Sequence, residues 1–270
     1  MPQHVRWLGV LAAVVAGATV AATATAAPAR QAAGTITFCS DITYPPEEFY
    51  VGSKAVGSDI DIATAIAKQL GENAKFTNTG FDGIIAALVA KKCDAIISGM
   101  NDTAQRRKSV NFVDYLSVGQ SLMVKKGNPS HVKGLSSLSG KTVSVEVGTT
   151  NKDFLDAESK SLKKKGKKPI QVQAFPKDTD AAAALKTGRV DAYFGDSPVV
   201  AYYIQKDKSF AFAGAPINPI PVGIALRKDD NATKAAMTKA VKKLYANGTM
   251  QRILAKWHMS DFALKKYAKK

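Results

Sequence analysis

The chain has 270 residues, 46% of them hydrophobic, with 38 Lys and Arg against 22 Asp and Glu. This length and apolar fraction suit one large domain or two ordinary ones with packed cores, and they exclude a disordered chain. The formal charge of +16 raises nucleic acid as a partner. No binding motif with interleaved aromatics accompanies it, so the charge reads as a solvated basic face and no nucleic-acid partner is expected.

Residues 1–26 carry Arg6, an apolar run from Trp7 to Ala22, and the small residues Ala24, Thr25 and Ala26 ahead of Ala27-Pro28. Together they read as a cleavable secretory signal, which predicts a periplasmic or secreted mature protein. The apolar part is too short and Ala-rich for a membrane span of about 20 residues. Cys39 lies well beyond it, so no lipid anchor is expected.

Cys39 and Cys93 would meet an oxidising compartment, where pairing is open to them. One ends a strand and the other precedes a strand; if those strands run parallel the thiols lie apart, beyond the Cα separation of about 7 Å that a disulfide tolerates. The expectation is that they stay unpaired. With only His4, His131 and His258, no His/Cys metal cluster is expected, nor any cofactor.

In chain order, Thr35 to Cys39 is a β-rich run. Asp59 to Leu70 sets Ile62, Ala63, Ile66 and Leu70 on one helical face, and Gly71 stops it. Phe81 to Ala90 predicts a second helix, Ala95 to Ser98 a short buried strand, and Thr142 to Val147 a strand after the Ser139-Gly140-Lys141 turn. Lys160 to Lys168 reads as an exposed loop after a helix. Asp178 is placed to cap a helix running through Leu185 to Gly188, with Val190 to Phe194 an apolar strand beyond it. Ala232 to Ala246 and Thr249 to Trp257 read as helices divided by Asn247-Gly248. The alternation predicts an α/β fold of mainly parallel sheet covered by helices.

Several strings arrive in an order of their own: Cys39-Ser40-Asp41-Ile42-Thr43-Tyr44-Pro45-Pro46, Gly57-Ser58-Asp59-Ile60-Asp61-Ile62, Phe81-Asp82-Gly83-Ile84-Ile85 and Asp94-Ala95-Ile96-Ile97-Ser98-Gly99-Met100. Arg106, Val147-Gly148-Thr149-Thr150, Gly188-Arg189-Val190-Asp191-Ala192, Asp196, Val222-Gly223-Ile224-Ala225 and Lys256-Trp257 continue the series. In this order they resemble the polar amino-acid-binding proteins of bacterial ABC importers, the family 3 extracellular solute-binding proteins, over nearly all of the mature chain. The resemblance implies a two-lobed periplasmic-binding-protein fold of type II, with a ligand cleft between lobes joined by two hinge strands. It places lobe 1 at 34–118 plus 220–265 and lobe 2 at 120–214, with crossings near 117–122 and 213–221. A membrane permease is the implied partner, and a monomer the default state.

An enclosed amino-acid zwitterion needs an opposite charge for each of its own. By resemblance, Arg106 meets the α-carboxylate with a bidentate fork and Asp196, from the other lobe, accepts from the α-ammonium. Ser98, Gly99, Asn101, Thr149 and Thr150 fall on loops that offer N–H and hydroxyl donors to the carboxylate, against the plain alternative of turn chemistry. Asn101 departs from the family's usual Ser or Thr. Tyr44 and Phe81 match aromatic walls, with core packing as the alternative, and Asp41 matches a side-chain contact or a loop cap. Glu47 stands where the family commonly has Phe, with Glu48 after it. As specificity residues they favour a basic ligand; the competing and favoured reading is a solvent-facing rim. The ligand expected is a polar or basic L-amino acid, bound without chemistry. The alternative is a secreted cyclohexadienyl dehydratase-like enzyme, for which Glu47, Glu146 or Asp41 would supply the acid.

Overall fold

A computed structural model describes residues 1–3 and 34–267, so nearly all of the expected secretory leader falls outside the described residues.

β1 (Thr35–Ser40) leads into a small antiparallel sheet of β2 (Thr43–Tyr44), β3 (Glu48–Val51) and β4 (Lys54–Val56). Helix α1 (Ser58–Gln69) and β5 (Asn73–Asn78) follow. A 3-10 turn at Phe81–Gly83, helix α2 (Ile84–Val89) and β6 (Ala95–Ile96) come next. The predicted helix 81–90 is thus split, because Gly83 occupies the N-cap of α2.

The long strand β7 (Val110–Lys125) then carries the chain to β8 (Thr142–Glu146), α3 (Thr150–Lys164) and β9 (Gln171–Phe175). Helix α4 (Asp178–Lys186), β10 (Ala192–Asp196), α5 (Ser197–Lys206) and β11 (Phe210–Phe212) complete this part. The second long strand, β12 (Ile217–Arg227), returns the chain to α6 (Asn231–Ala246) and α7 (Thr249–Lys256). The Lys160–Lys168 run is half helix, since α3 continues to Lys164 before the turn at Gly166.

Among the described residues the other strands form one nine-stranded sheet in the order β5-β1-β6-β12-β7-β10-β8-β9, with β11 also on β7. Its two wings are parallel, β5-β1-β6 and β10-β8-β9, as the alternation of strands and helices predicts. The middle is antiparallel, because β7 runs against β10, β11 and β12. β10 is buried along its whole length, as an apolar strand covered on both faces should be.

Each wing has its own core. Of the predicted α1 face, Ile62, Ala63 and Ile66 are fully buried against Phe38, Ile97 and Leu244, and Leu70 is partly buried at its end. Val143, Val145, Leu155 and Phe194 fill one side of the other wing, and Leu185, Tyr193 and Val199 fill the opposite side. Each such side chain contributes about 1.5–3 kcal/mol by leaving water. β7 gives Val113, Tyr115, Leu116 and Val118 to the first core, then Leu122, Met123 and Val124 to the second. The change of core falls at Gly119, where an added Cβ would sit 3.1 Å from the Ile217 carbonyl oxygen and 3.1 Å from Ser197 Oγ. β12 slips register against β7 between Ile217 and Ile220, at the same level.

Cys39 and Cys93 are joined, with Cα atoms 5.6 Å apart, which corrects the expectation that they stay separate. β1 and β6 do run parallel, with Cys39 level with Ile96. β6 does not, however, extend backwards to Cys93. Residues 91–94 turn and bend instead of continuing the strand, so Cys93 returns to the cluster that Cys39 shares with Ile84 and Leu88.

Candidate functional site

Arg106 opens a short 3-10 turn, Arg106–Lys108, just before β7. Its guanidinium donates to the Asn101 carbonyl at 2.9 Å and, from one lobe to the other, to the Gly148 carbonyl at 3.1 Å. It lies over the Phe81 ring, 5.2 Å from the centroid. Burial lowers its pKa, opposed by the charges of Asp196 and Asp153. The neighbouring Arg107 instead pairs with Asp102, Nε to Oδ1 at 2.6 Å, and stays largely solvated. The two adjacent arginines therefore divide between cleft and surface.

Asp196 ends β10 and occupies the N-cap position of α5, yet its carboxylate makes no cap bond. It accepts instead from Asn151 Nδ2 at 3.1 Å. Burial pushes it up to about 6, against the pull of Asn151, Tyr44 and the Arg106 charge. The Tyr44 hydroxyl lies 3.4 Å from the Asp196 amide nitrogen, and its ring packs with Tyr193 and Val199 of the second core. Gly99 permits this: a Cβ there would meet the Tyr44 ring at 3.0 Å, on a backbone already at φ +50. Arg106, Tyr44 and Asp196, which the resemblance assigns to the cleft, are thus brought together.

Other sequence-predicted residues have internal duties. Ser98 Oγ donates to Glu48 at 2.7 Å and accepts from the Asp41 N–H at 2.9 Å. The Gly99 N–H is donated to Asp59 at 2.8 Å. Both donors expected to reach a ligand carboxylate are therefore spent inside the first lobe. Asp41 accepts from Thr43 Oγ1 and from the Phe81 N–H, both at 2.7 Å, which is the loop-capping role. Phe81 is placed as the base beneath Arg106. Thr149 caps α3, accepting from the Lys152 N–H at 3.1 Å and donating to the Glu146 carbonyl at 2.8 Å. Thr150 Oγ1 donates to Asn101 Oδ1 at 2.6 Å, and the Asn101 amide nitrogen is buried with no partner.

The rim reading of Glu47 and Glu48 fails, because both are buried, at 2% and 0% exposure. The two then part company. Glu48 points behind the loop, accepting from Ser98 and sharing the lobe interior with Asp59, which takes the Tyr115 hydroxyl at 2.6 Å. Glu47 stands beside the site: its Cγ is 3.9 Å from where a Gly99 Cβ would be, and its Oε2 has no partner. Burial raises its pKa well above the usual range, and Asp59, Asp196 and Asp178 add to the effect.

Three residues at the site were not singled out as ligand contacts. Asn151 orients Asp196. Glu146, at the end of β8, is 3% exposed with Oε1 unpartnered; burial raises its pKa, helped by Asp178, Asp41 and Asp196. Asp178, expected to cap α4, does not, since Lys177 holds the N-cap position; its carboxylate takes the Tyr203 hydroxyl at 2.7 Å and the Tyr193 hydroxyl. Burial pushes it up to about 7. Glu146 had a signal: a charged residue at the carboxyl end of a parallel strand is where α/β sheets place ligands.

A groove of about 770 Å³ lies elsewhere, lined by Phe49, Tyr202 and Trp257 with Lys54, Lys206 and Lys256. It contains none of the sequence-predicted site residues.

Residues 36–260 match the model of the bacterial extracellular solute-binding proteins, family 3. ABC transporter arginine-binding protein 1 of Escherichia coli K12 is 32% identical over 92% of this chain and 97% of its own. The histidine-binding periplasmic protein of Salmonella typhimurium is 29% identical over 82% and 86%. Among solved structures, an ancestral arginine-binding protein bound to arginine superposes with a TM-score of 0.77, at 36% identity over 83% of this chain and 98% of that one. With the two parallel wings, the two crossing strands and the family match over residues 36–260, this chain belongs to the family 3 bacterial extracellular solute-binding proteins.

Proposed function

We propose that this chain is the extracytoplasmic substrate-binding protein of an ABC importer for a basic L-amino acid. Lobes of 34–118 plus 220–265 and of 120–214 close around the zwitterion and deliver it, unchanged, to a membrane permease. The protein works as a monomer in the periplasm or outside the cell, and needs no cofactor. Arg106 binds the α-carboxylate and Asp196 the α-ammonium, with Tyr44 between the lobes beside them.

One observation carries the choice of a basic ligand. Around Tyr44 the buried carboxylates Glu47, Glu146, Asp178 and Asp196 face, among the described residues, one cation, the half-buried Arg106. The nearby Lys177 is exposed and bears on Asp41. Unpaired buried carboxylates are costly, and a ligand of net positive charge offsets that cost where a neutral one does not. The arginine- and histidine-binding names of the relatives agree with this choice.

A thermal-shift screen of the ligand-stripped protein tests the reading, because a ligand that binds only the folded state raises Tm. Arginine, lysine or histidine should raise it most. Arg106→Ala should weaken binding by about 3–5 kcal/mol, the usual effect of removing one partner of a desolvated charge pair. Silence with every amino acid, together with consumption of a cyclohexadienyl acid, would replace this reading with the dehydratase.

A further inference from the structure

Glu47 and Glu146 reach the cleft from different lobes. Glu47 precedes β3 in the first, and Glu146 ends β8 in the second. Both are almost fully buried, and each has one carboxylate oxygen with no hydrogen-bond partner, Oε2 of Glu47 and Oε1 of Glu146.

Their common neighbour is Tyr44: a Cβ on Gly99 would meet its ring at 3.0 Å and Glu47 Cγ at 3.9 Å, its hydroxyl lies 3.4 Å from the Asp196 amide nitrogen, and β8, which Glu146 ends, pairs with β10, which Asp196 ends. The remaining acids there are occupied. Asp178 holds two tyrosine hydroxyls, Asp196 holds Asn151 and faces Arg106, and Asp41 ties its loop to Phe81. Buried polar atoms in native structures are almost always satisfied, so two acceptors left open around Tyr44 indicate a donor that arrives with the ligand.

We propose that Glu47 and Glu146 form a two-lobe carboxylate clamp for the ligand's side-chain cation, and that this clamp sets the preference for a guanidinium over an uncharged isostere. The assignment rests on the basic-amino-acid reading and adds to it the residues that select. A planar guanidinium, with five N–H donors in a fixed fork, can serve two carboxylates on opposite sides at once. Because one acid comes from each lobe, both bonds form only when the cleft is shut, so the cation also favours closure. Citrulline has nearly the same shape and offers no charge, so it leaves both acids uncompensated.

The experiment compares arginine and citrulline affinities by titration calorimetry for the wild type, Glu47→Gln, Glu146→Gln and the double variant. Wild type should prefer arginine by at least about 100-fold. Each single variant should lower that ratio by about 10-fold or more, as expected for a hydrogen bond to a charged group, and the double variant should lower it further. Glu47→Phe, which installs the residue common at this position in the family, provides a second test should a Gln variant fail to fold. A ratio unchanged in all variants that still bind arginine would overturn the clamp and leave the basic-ligand reading standing. A wild type that binds neutral amino acids better than arginine, lysine and histidine would overturn both.

Discussion

Thr150 donates its hydroxyl to the Asn101 side-chain oxygen over 2.6 Å, from the first turn of α3 to the loop that also holds Arg106. Asn101 stands where the family usually has a hydroxyl residue, and the longer amide side chain spans the gap between the lobes. A bond of this kind exists only in the shut form, so its loss should be read in ligand affinity more than in fold stability. Asn101→Ala is expected to weaken arginine binding about fivefold, corresponding to about 1 kcal/mol for one hydrogen bond. Unchanged affinity by calorimetry would mean that the bond contributes nothing to the shut state.

Gly148 marks a second point of contact between the lobes. Its φ is +76, and an added Cβ would lie 2.9 Å from the Cα of Asp82, which belongs to the turn under Arg106. Backbone cannot swing aside as a flexible side chain can. Gly148→Ala should therefore hold the lobes apart, reducing ligand affinity at least about tenfold, while the left-handed backbone itself costs only about 1–2 kcal/mol of stability. Small-angle scattering with saturating arginine should show the variant failing to contract as the wild type does. Equal contraction of the two would show that the turn at Asp82 yields.

Much of this was legible in the sequence, and the parts that were not share a cause. The α1 stripe and the apolar β10 run specified their elements through period and composition, and the ordered motifs placed Arg106, Tyr44 and Asp196. What sequence spacing does not carry is how a polar side chain divides its bonds among neighbours distant in sequence. Ser98 and Gly99 looked like donors for a ligand, yet Glu48 and Asp59, 50 and 40 positions away, take those bonds. Asp178 looked like a cap, and two tyrosines from β10 and α5 claim it instead. The rim reading of Glu47 failed for the same reason: acidic residues in a turn are usually solvated, and burial becomes visible only when the second lobe is in place.

The Cys39–Cys93 link closes a loop across 54 positions that includes α1, β5 and α2. On chain-entropy grounds a loop of that length is worth about 4 kcal/mol against the unfolded state. Cys93→Ser should lower the urea midpoint and raise the m-value, because the unfolded chain released from the link exposes more surface, and reduction of the wild type should have the same effect. Arginine affinity should stay within about threefold, since both cysteines sit in the Ile84–Leu88 cluster behind the loop and not in the cleft. A midpoint that does not move on reduction would mean that the reduced unfolded chain is already as restricted as the bridged one.

The cleft carboxylates also give binding a pH dependence with a definite sign. Burial holds Asp196 up to about 6 and Asp178 up to about 7, and raises Glu47, Glu146 and Asp41 as well, while the half-buried Arg106 is the cation facing them. A carboxyl whose pKa is raised by folding contributes stability that is complete below its unfolded value near 4 and is lost as pH rises through its folded value. The ligand-free protein should accordingly melt at a lower temperature at pH 7.5 than at pH 5.5. A cationic ligand reverses the preference, because it stabilises the charged carboxylates and so binds the deprotonated cleft more tightly. Arginine affinity should rise from pH 5.5 to 7.5 and then level off, and the Tm increase at saturation should grow over the same interval. Asp178→Asn should flatten the upper part of both curves, where its proton is the one exchanged. An affinity constant across pH 5 to 8 would show that the carboxylates keep their protons when the ligand enters, and that the charge balance lies elsewhere in the cleft.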